Sequence, residues 1–108
     1  MPAPLNQRKC VPCESGVLPL DETSAKTYFA QLSKEWELKE GKLTRTFKFK
    51  SFKDAVEFTN RVAALAETEG HHPNIHIFYN RVRLDLSTHA TGGLTENDFI
   101  LASKAERL

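Results

Sequence analysis

The chain has 108 residues, the size of one domain, and its 15 basic against 14 acidic side chains leave a net charge of +1. That balance predicts no direct nucleic-acid contact and no anionic membrane surface, and no apolar run approaches the roughly 20 residues of a membrane helix. A domain this small hides roughly two thirds of the surface its unfolded chain exposes, so a site is expected as a shallow groove or one completed by a second subunit.

Residues 1–20 hold four of the five prolines and little periodicity, and read as an irregular arm laid against a domain spanning 21–108. The opening Met1-Pro2-Ala3-Pro4 lacks the charged-then-apolar layout of a secretion signal. The expectation is therefore a cytoplasmic protein with Cys10 and Cys13 as thiols. Asp21 or Thr23 can cap a helix reaching about Ser33, because a short side-chain oxygen satisfies the first free N–H groups. Ala25, Tyr28, Phe29, Leu32 and Trp36 fall on one face of it.

Glu35 to Lys39, a turn at Glu40-Gly41-Lys42, and Leu43 to Lys50 predict a hairpin. Its second strand alternates, with Leu43, Arg45, Phe47 and Phe49 on one side. Arg45 interrupts that apolar face, which places it at an edge or with its charge reaching to water. Residues 52–68 form the clearest helix, capped by Ser51 and ended by Gly70, with a stripe of Phe52, Ala55, Val56, Thr59, Val62, Ala63 and Ala66. Strands are expected over about Ile75–Tyr79 and Arg81–Thr88. A last helix opens at Thr95-Glu96-Asn97-Asp98, a capping-box-like start.

The order α-β-β-α-β-β-α predicts an α+β two-layer sandwich, a four-stranded antiparallel sheet with three helices on one face. The other sheet face is left with a mixed polar surface.

The chemistry concentrates in histidines. An imidazole titrates near pH 6.5 and exchanges protons readily at neutral pH. His71-His72-Pro73 follows the helix that ends at Gly70, and the proline pushes His72 toward extended backbone. His89 follows the fourth strand. A hairpin centred on Asn80 brings the start of one strand beside the end of the next, and so His72 near His89. An adjacent histidine pair alone is more often the mark of a polar loop than of a catalytic site. Three imidazoles can also hold zinc, but adjacent histidines rarely both reach one metal from the same backbone. His76 reads as an ordinary strand residue on the face opposite Ile75 and Ile77. Cys10 and Cys13 supply only two ligands, so a complete zinc site would need two more from another subunit.

Glu67-Thr68-Glu69-Gly70-His71-His72-Pro73, followed by Tyr79, His89 and Asp98, resembles the signature of the pterin-4a-carbinolamine dehydratases. Leu84-Asp85-Leu86-Ser87-Thr88-His89 is similar to that family's final strand, and Gly93-Leu94-Thr95-Glu96-Asn97-Asp98 to the entry of its last helix. The resemblance covers about residues 20–108 and leaves the cysteine arm outside the signature. It implies elimination of water from a 4a-hydroxytetrahydropterin to give the quinonoid dihydropterin, in tetrahydrobiopterin recycling, with no cofactor and no metal. It also implies a homodimer or homotetramer. His71 and His89 are then the acid–base pair, and His72 mainly positions the pterin. Gly70, Ser87 and Thr88 flank them as substrate contacts. Three further residues carry two readings each. Glu67 either holds an imidazole in its tautomer or is a solvated helix-end charge. Asp98 belongs to the site or to the helix cap, and Trp36 to the pterin site or to the core. The competing function is a non-catalytic dimerisation or assembly module on the same fold, a transcriptional coactivator or a carboxylase assembly factor. Such a module has no need of three histidines.

Overall fold

The structure, a computed structural model, describes residues 4–10, 20–88 and 93–108. Two hairpins make its sheet. Strands β1 (Glu37–Lys39) and β2 (Lys42–Lys48) join through Glu40 and Gly41, at φ of 50° and 76°. Two successive positive φ values are what a two-residue loop needs to match the twist of its strands. Strands β3 (Asn74–Phe78) and β4 (Arg81–Leu86) join through Tyr79 and Asn80. Here Asn80 is tied to β2's exit: its carbonyl accepts the Phe49 N–H at 2.8 Å and its side-chain amide donates to the Phe49 carbonyl at 3.1 Å. The strands run in the order β1-β2-β4-β3, all antiparallel.

Helices α1 (Glu22–Phe29), α2 (Phe52–Glu69) and α3 (Glu96–Ala105) complete the expected order. Asp21 caps α1 by accepting the Ser24 N–H, and Ser51 caps α2 by accepting that of Asp54. The first helix stops four residues short of the expected Ser33. The Gln31 and Leu32 N–H groups bond three residues back, to Tyr28 and Phe29, tightening the chain out of the α-helix. Leu32 and Trp36 thus reach the core from turns rather than from a helical face.

The buried face of α2 is also rotated from the expected stripe. It is Ala55, Phe58, Val62 and Ala66, whereas Phe52 is 52% exposed and Ala63 lies outside. Phe58 decides this, because its ring packs on Phe47 at 4.6 Å and Phe49 at 5.0 Å. With Leu43, Val82, Leu84 and Leu86 from the sheet and Phe99 to Ala102 from α3, these side chains form one core. Arg45 stands on an inner strand, not an edge. Its guanidinium lies over Phe47 at 4.2 Å and pairs with Glu35 at 2.8 Å, so the charge is covered and partnered together. On the polar sheet face His76 is a strand residue, as expected, with Asp85 as its partner at 3.2 Å.

The described part of the arm is packed, not loose. Leu5, in a short 3₁₀ turn (Leu5–Gln7), is buried in the core. Burial, with the nearby Glu69 charge, pushes the Cys10 thiol up to about 12. A thiol so raised stays protonated at neutral pH and is a poor nucleophile. In a Cys13→Ser variant, iodoacetamide at pH 8 is expected to label Cys10 much more slowly in the folded protein than in urea. Equal labelling rates, read by mass spectrometry, would show the thiol to be accessible. Cys13 itself lies outside the described residues.

Candidate active site

The end of α2 fixes His71. Gly70 takes the left-handed φ of 69°, and both the Gly70 and His71 N–H groups return to the Ala66 carbonyl, at 2.8 and 3.2 Å. This closure satisfies a helix-end carbonyl and sets the direction in which the chain leaves. The register Asn74↔Asp85 then places the start of β3 beside the end of β4, as the hairpin argument requires. Beyond β4 the chain reaches Thr88, which bridges to Gly93 just before α3.

These ends meet on Asp98, which is fully buried. His71 Nε2 lies 2.6 Å from Asp98 Oδ1. Asp98 Oδ2 accepts the Thr88 hydroxyl at 2.8 Å and the Thr95 N–H at 3.0 Å. The Thr88 and Thr95 hydroxyls are themselves 2.9 Å apart. Thr88 and Thr95 both donate to the Oδ2 side of this carboxyl, leaving Oδ1 to His71. Facing an ionised carboxylate, which accepts and does not donate, His71 would carry its proton on Nε2, with Nδ1 left to give or take one. The imidazole is only 11% exposed, so one edge is held in protein while the other can face a ligand. A buried carboxylate holding one histidine tautomer is a standard way to orient an acid–base group.

Asp98 closes a capping box with Thr95 at the start of α3, and its other oxygen meets His71. Glu67 reaches His72 instead, with Nε2 to Oε2 at 2.7 Å, in a pair where both side chains are well exposed. Such a surface pair contributes at most about 1 kcal/mol. His72 is therefore at the rim, free to contact a ligand. Ser87 sits half-buried between Leu86 and Thr88.

Trp36 is placed elsewhere. It is buried, its indole N–H donates to Glu106 at 3.0 Å, and its ring meets Phe47 edge-on at 6.0 Å. Glu106 lies eight residues beyond Asp98 along α3, roughly 12 Å at 1.5 Å per residue. Within one chain the core reading of Trp36 is the one the packing favours. His89 lies outside the described residues. Two residues that matter were missed by sequence reading. Thr95 serves the site through its hydroxyl and N–H, and the capping-box pattern pointed to it. Glu69 stands inside the signature run, but nothing in its spacing set it apart.

Residues 18–108 match the family described as pterin 4 alpha carbinolamine dehydratase. The chain belongs to that family. A protein of Rickettsia canadensis (strain McKiel) is 46% identical over 103 residues, 94% of each chain. One of Nitrosomonas eutropha (strain DSM 101675 / C91 / Nm57) is 44% identical over 104 residues, 96% of this chain and 92% of that one. Both carry the name pterin-4-alpha-carbinolamine dehydratase provisionally. Among solved structures, a transcriptional coactivator/pterin dehydratase from Brucella melitensis is 35% identical with a TM-score of 0.77, covering 82% of this chain and 96% of that one. A pterin dehydratase-like RuBisCO assembly factor of the alpha-carboxysome is 30% identical with a TM-score of 0.55, over 67% and 83%.

Proposed function

We propose that this chain dehydrates a 4a-hydroxytetrahydropterin to the quinonoid dihydropterin by histidine acid–base catalysis, in tetrahydrobiopterin recycling. The observation that carries the reading is the His71–Asp98 pair, which lies within the span that matches the family. The C4a–O bond breaks and the hydroxyl leaves as water, taking a proton from an acid. A ring nitrogen loses its proton to a base, and its electron pair completes the new double bond. Hydroxide is a poor leaving group, so a positioned acid and base are what the reaction needs, each arrangement contributing about 10²–10⁴-fold. His71 serves as one of the pair through Nδ1, His89 as the other, and His72 at the rim holds the pterin, with Gly70, Ser87 and Thr88 around it. Glu67 steadies His72, and Asp98 steadies His71. The reaction moves protons and no electrons between molecules, so it calls for no redox cofactor.

The test is a stopped-flow assay of the decay of a 4a-hydroxytetrahydropterin with and without the protein. Acceleration over the spontaneous decay is expected, and decay at the uncatalysed rate would overturn the reading. The acceleration is also expected to survive exhaustive chelation by EDTA, because imidazoles provide both proton transfers. Loss on chelation, restored only by zinc, would show instead that a Lewis acid is required.

The reading includes a cytoplasmic homodimer or homotetramer. In support, β3 is an edge strand with Ile77, Phe78 and Tyr79 exposed at and beyond its end. A second function, as an assembly or dimerisation module, draws support from the RuBisCO assembly factor's similarity and from a groove of about 690 Å³ along β1 and β2, where Thr44, Thr46, Arg83 and Asp85 line the polar sheet. That function would leave partner binding intact in histidine variants that have lost turnover.

A further inference from the structure

Glu69 is the last residue of α2, and its side chain is only 6% exposed. One carboxylate oxygen accepts from Lys104 Nζ, on α3, at 2.8 Å, and the other accepts the Cys10 backbone N–H at 2.9 Å. Burial alone would raise the pKa of this carboxyl. The hydrogen bonds from Lys104 and Cys10 outweigh that and hold it below the usual range. Glu69 is thus a committed anion joining three parts of the chain: the end of α2, the body of α3 and the N-terminal arm.

The arm continues the connection. The Cys10 thiol donates to the Asn97 carbonyl at 3.6 Å, and Arg8 pairs with Glu96. Asn97 immediately precedes Asp98, and Glu69 stands two residues before His71. The links therefore close a ring, from Glu69 through Gly70 to His71, across to Asp98, back through Asn97 to Cys10, and across again to Glu69. The His71–Asp98 hydrogen bond is one closure of that ring and the arm is the other. A hydrogen bond of 2.6 Å between groups on two different helix ends keeps its length only if those ends keep their separation. Lys104 sets that separation from the far side and the arm from the near side.

We infer that Glu69 is a positioning residue: by holding the arm and α3 against the end of α2, it sets the distance at which His71 meets Asp98. The kinetic consequence rests on the dehydratase reading, whereas the structural one does not. Displacing a catalytic group by about 1 Å from outside the reacting centre can cost up to about 10²-fold in rate.

The experiment compares Glu69→Ala with Glu69→Gln, whose amide oxygen can still accept the Cys10 N–H. Two quantities are read: kcat against KM, and the downfield proton resonance of the His71 imidazole N–H, assigned by its loss in His71→Ala. Glu69→Ala is expected to lower kcat about 10- to 100-fold with KM little changed, and to broaden the imidazole proton through faster exchange with water. Glu69→Gln should recover part of both, since it keeps the bond to Cys10 but turns an NH2 toward Lys104. If Glu69→Ala does not fold, Arg8→Gln loosens the arm from its partly exposed pair with Glu96 and must move both readouts in the same direction, less far. A folded variant with an unchanged imidazole proton would overturn the inference, whereas a changed proton with unchanged kcat would uphold the positioning and overturn only its kinetic consequence. Should the wild-type protein show no dehydratase activity, the imidazole proton alone still decides whether Glu69 holds the pair.

Discussion

His71→Ala is expected to slow dehydration of one 4a stereoisomer by roughly 10²–10⁴-fold and the other much less, with His89→Ala showing the reverse preference. The hydroxyl of the two isomers points to opposite faces of the pterin ring, and the acid must approach from the side of the departing oxygen. His71 approaches from a fixed direction, because its backbone is tied to the Ala66 carbonyl and its Nε2 to Asp98. A residue held that firmly cannot serve both faces equally. His72 is different: exposed and paired only with exposed Glu67, it has the freedom of a binding residue, and His72→Ala should raise KM more than it lowers kcat. The check is to assay the separated isomers with each variant after circular dichroism confirms folding. Equal slowing of both isomers by each single variant would remove the facial assignment.

Asp98→Ala is expected to cost the fold as well as the reaction. It takes from the Thr95 N–H the buried oxygen that closes the capping box, and from the Thr88 hydroxyl its bond to the same oxygen, with the Thr95 hydroxyl still 2.9 Å away. A buried donor stripped of its partner costs about 1–3 kcal/mol, a sizeable share of the roughly 5–15 kcal/mol that holds a domain folded. For a chain near 100 residues that is a drop in Tm of about 4–24 °C, at roughly 4–8 °C per kcal/mol. Asp98→Asn separates the two roles. Its volume is the same, and one oxygen can still accept from Thr88 and Thr95. The amide then faces His71 as a donor, and His71 must shift its proton to Nδ1 to accept it. Asp98→Asn should therefore melt within a few degrees of wild type yet lose about 10²-fold or more in kcat. Wild-type kcat in a folded Asp98→Asn would mean that His71's tautomer does not matter.

Much of this was legible in the sequence because local chemistry and tertiary packing agree there. Ser51, Gly70 and Thr95 end helices where their side chains or backbone freedom say they should. The alternation in β4 and the spacing of the turns gave the strand order of each hairpin. The points of disagreement have tertiary causes. Phe58 turned the face of α2, because two aromatic rings on the exit of β2 offered it a better partner than solvent. Trp36 fits a helical spacing on paper, but the helix tightens into turns before reaching it, and Glu106, 70 residues on, takes its N–H. His71 and Asp98 both stand in the family signature, but their union could not be read from its spacing. That one carboxylate would both cap α3 and fix an imidazole follows only from the meeting of three element ends. Glu69 was invisible for the same reason, since both its partners are distant in sequence.

The measurement closest to the centre of the account is the turnover of a folded His71→Ala, His89→Ala double variant on the mixed 4a-hydroxytetrahydropterin isomers, set beside wild type and the spontaneous decay. On the proposed mechanism the two residues act as one catalytic unit, so the losses need not add, but acceleration of both isomers should largely disappear. A double variant that kept the wild-type rate would show that the histidines are not the acid and base.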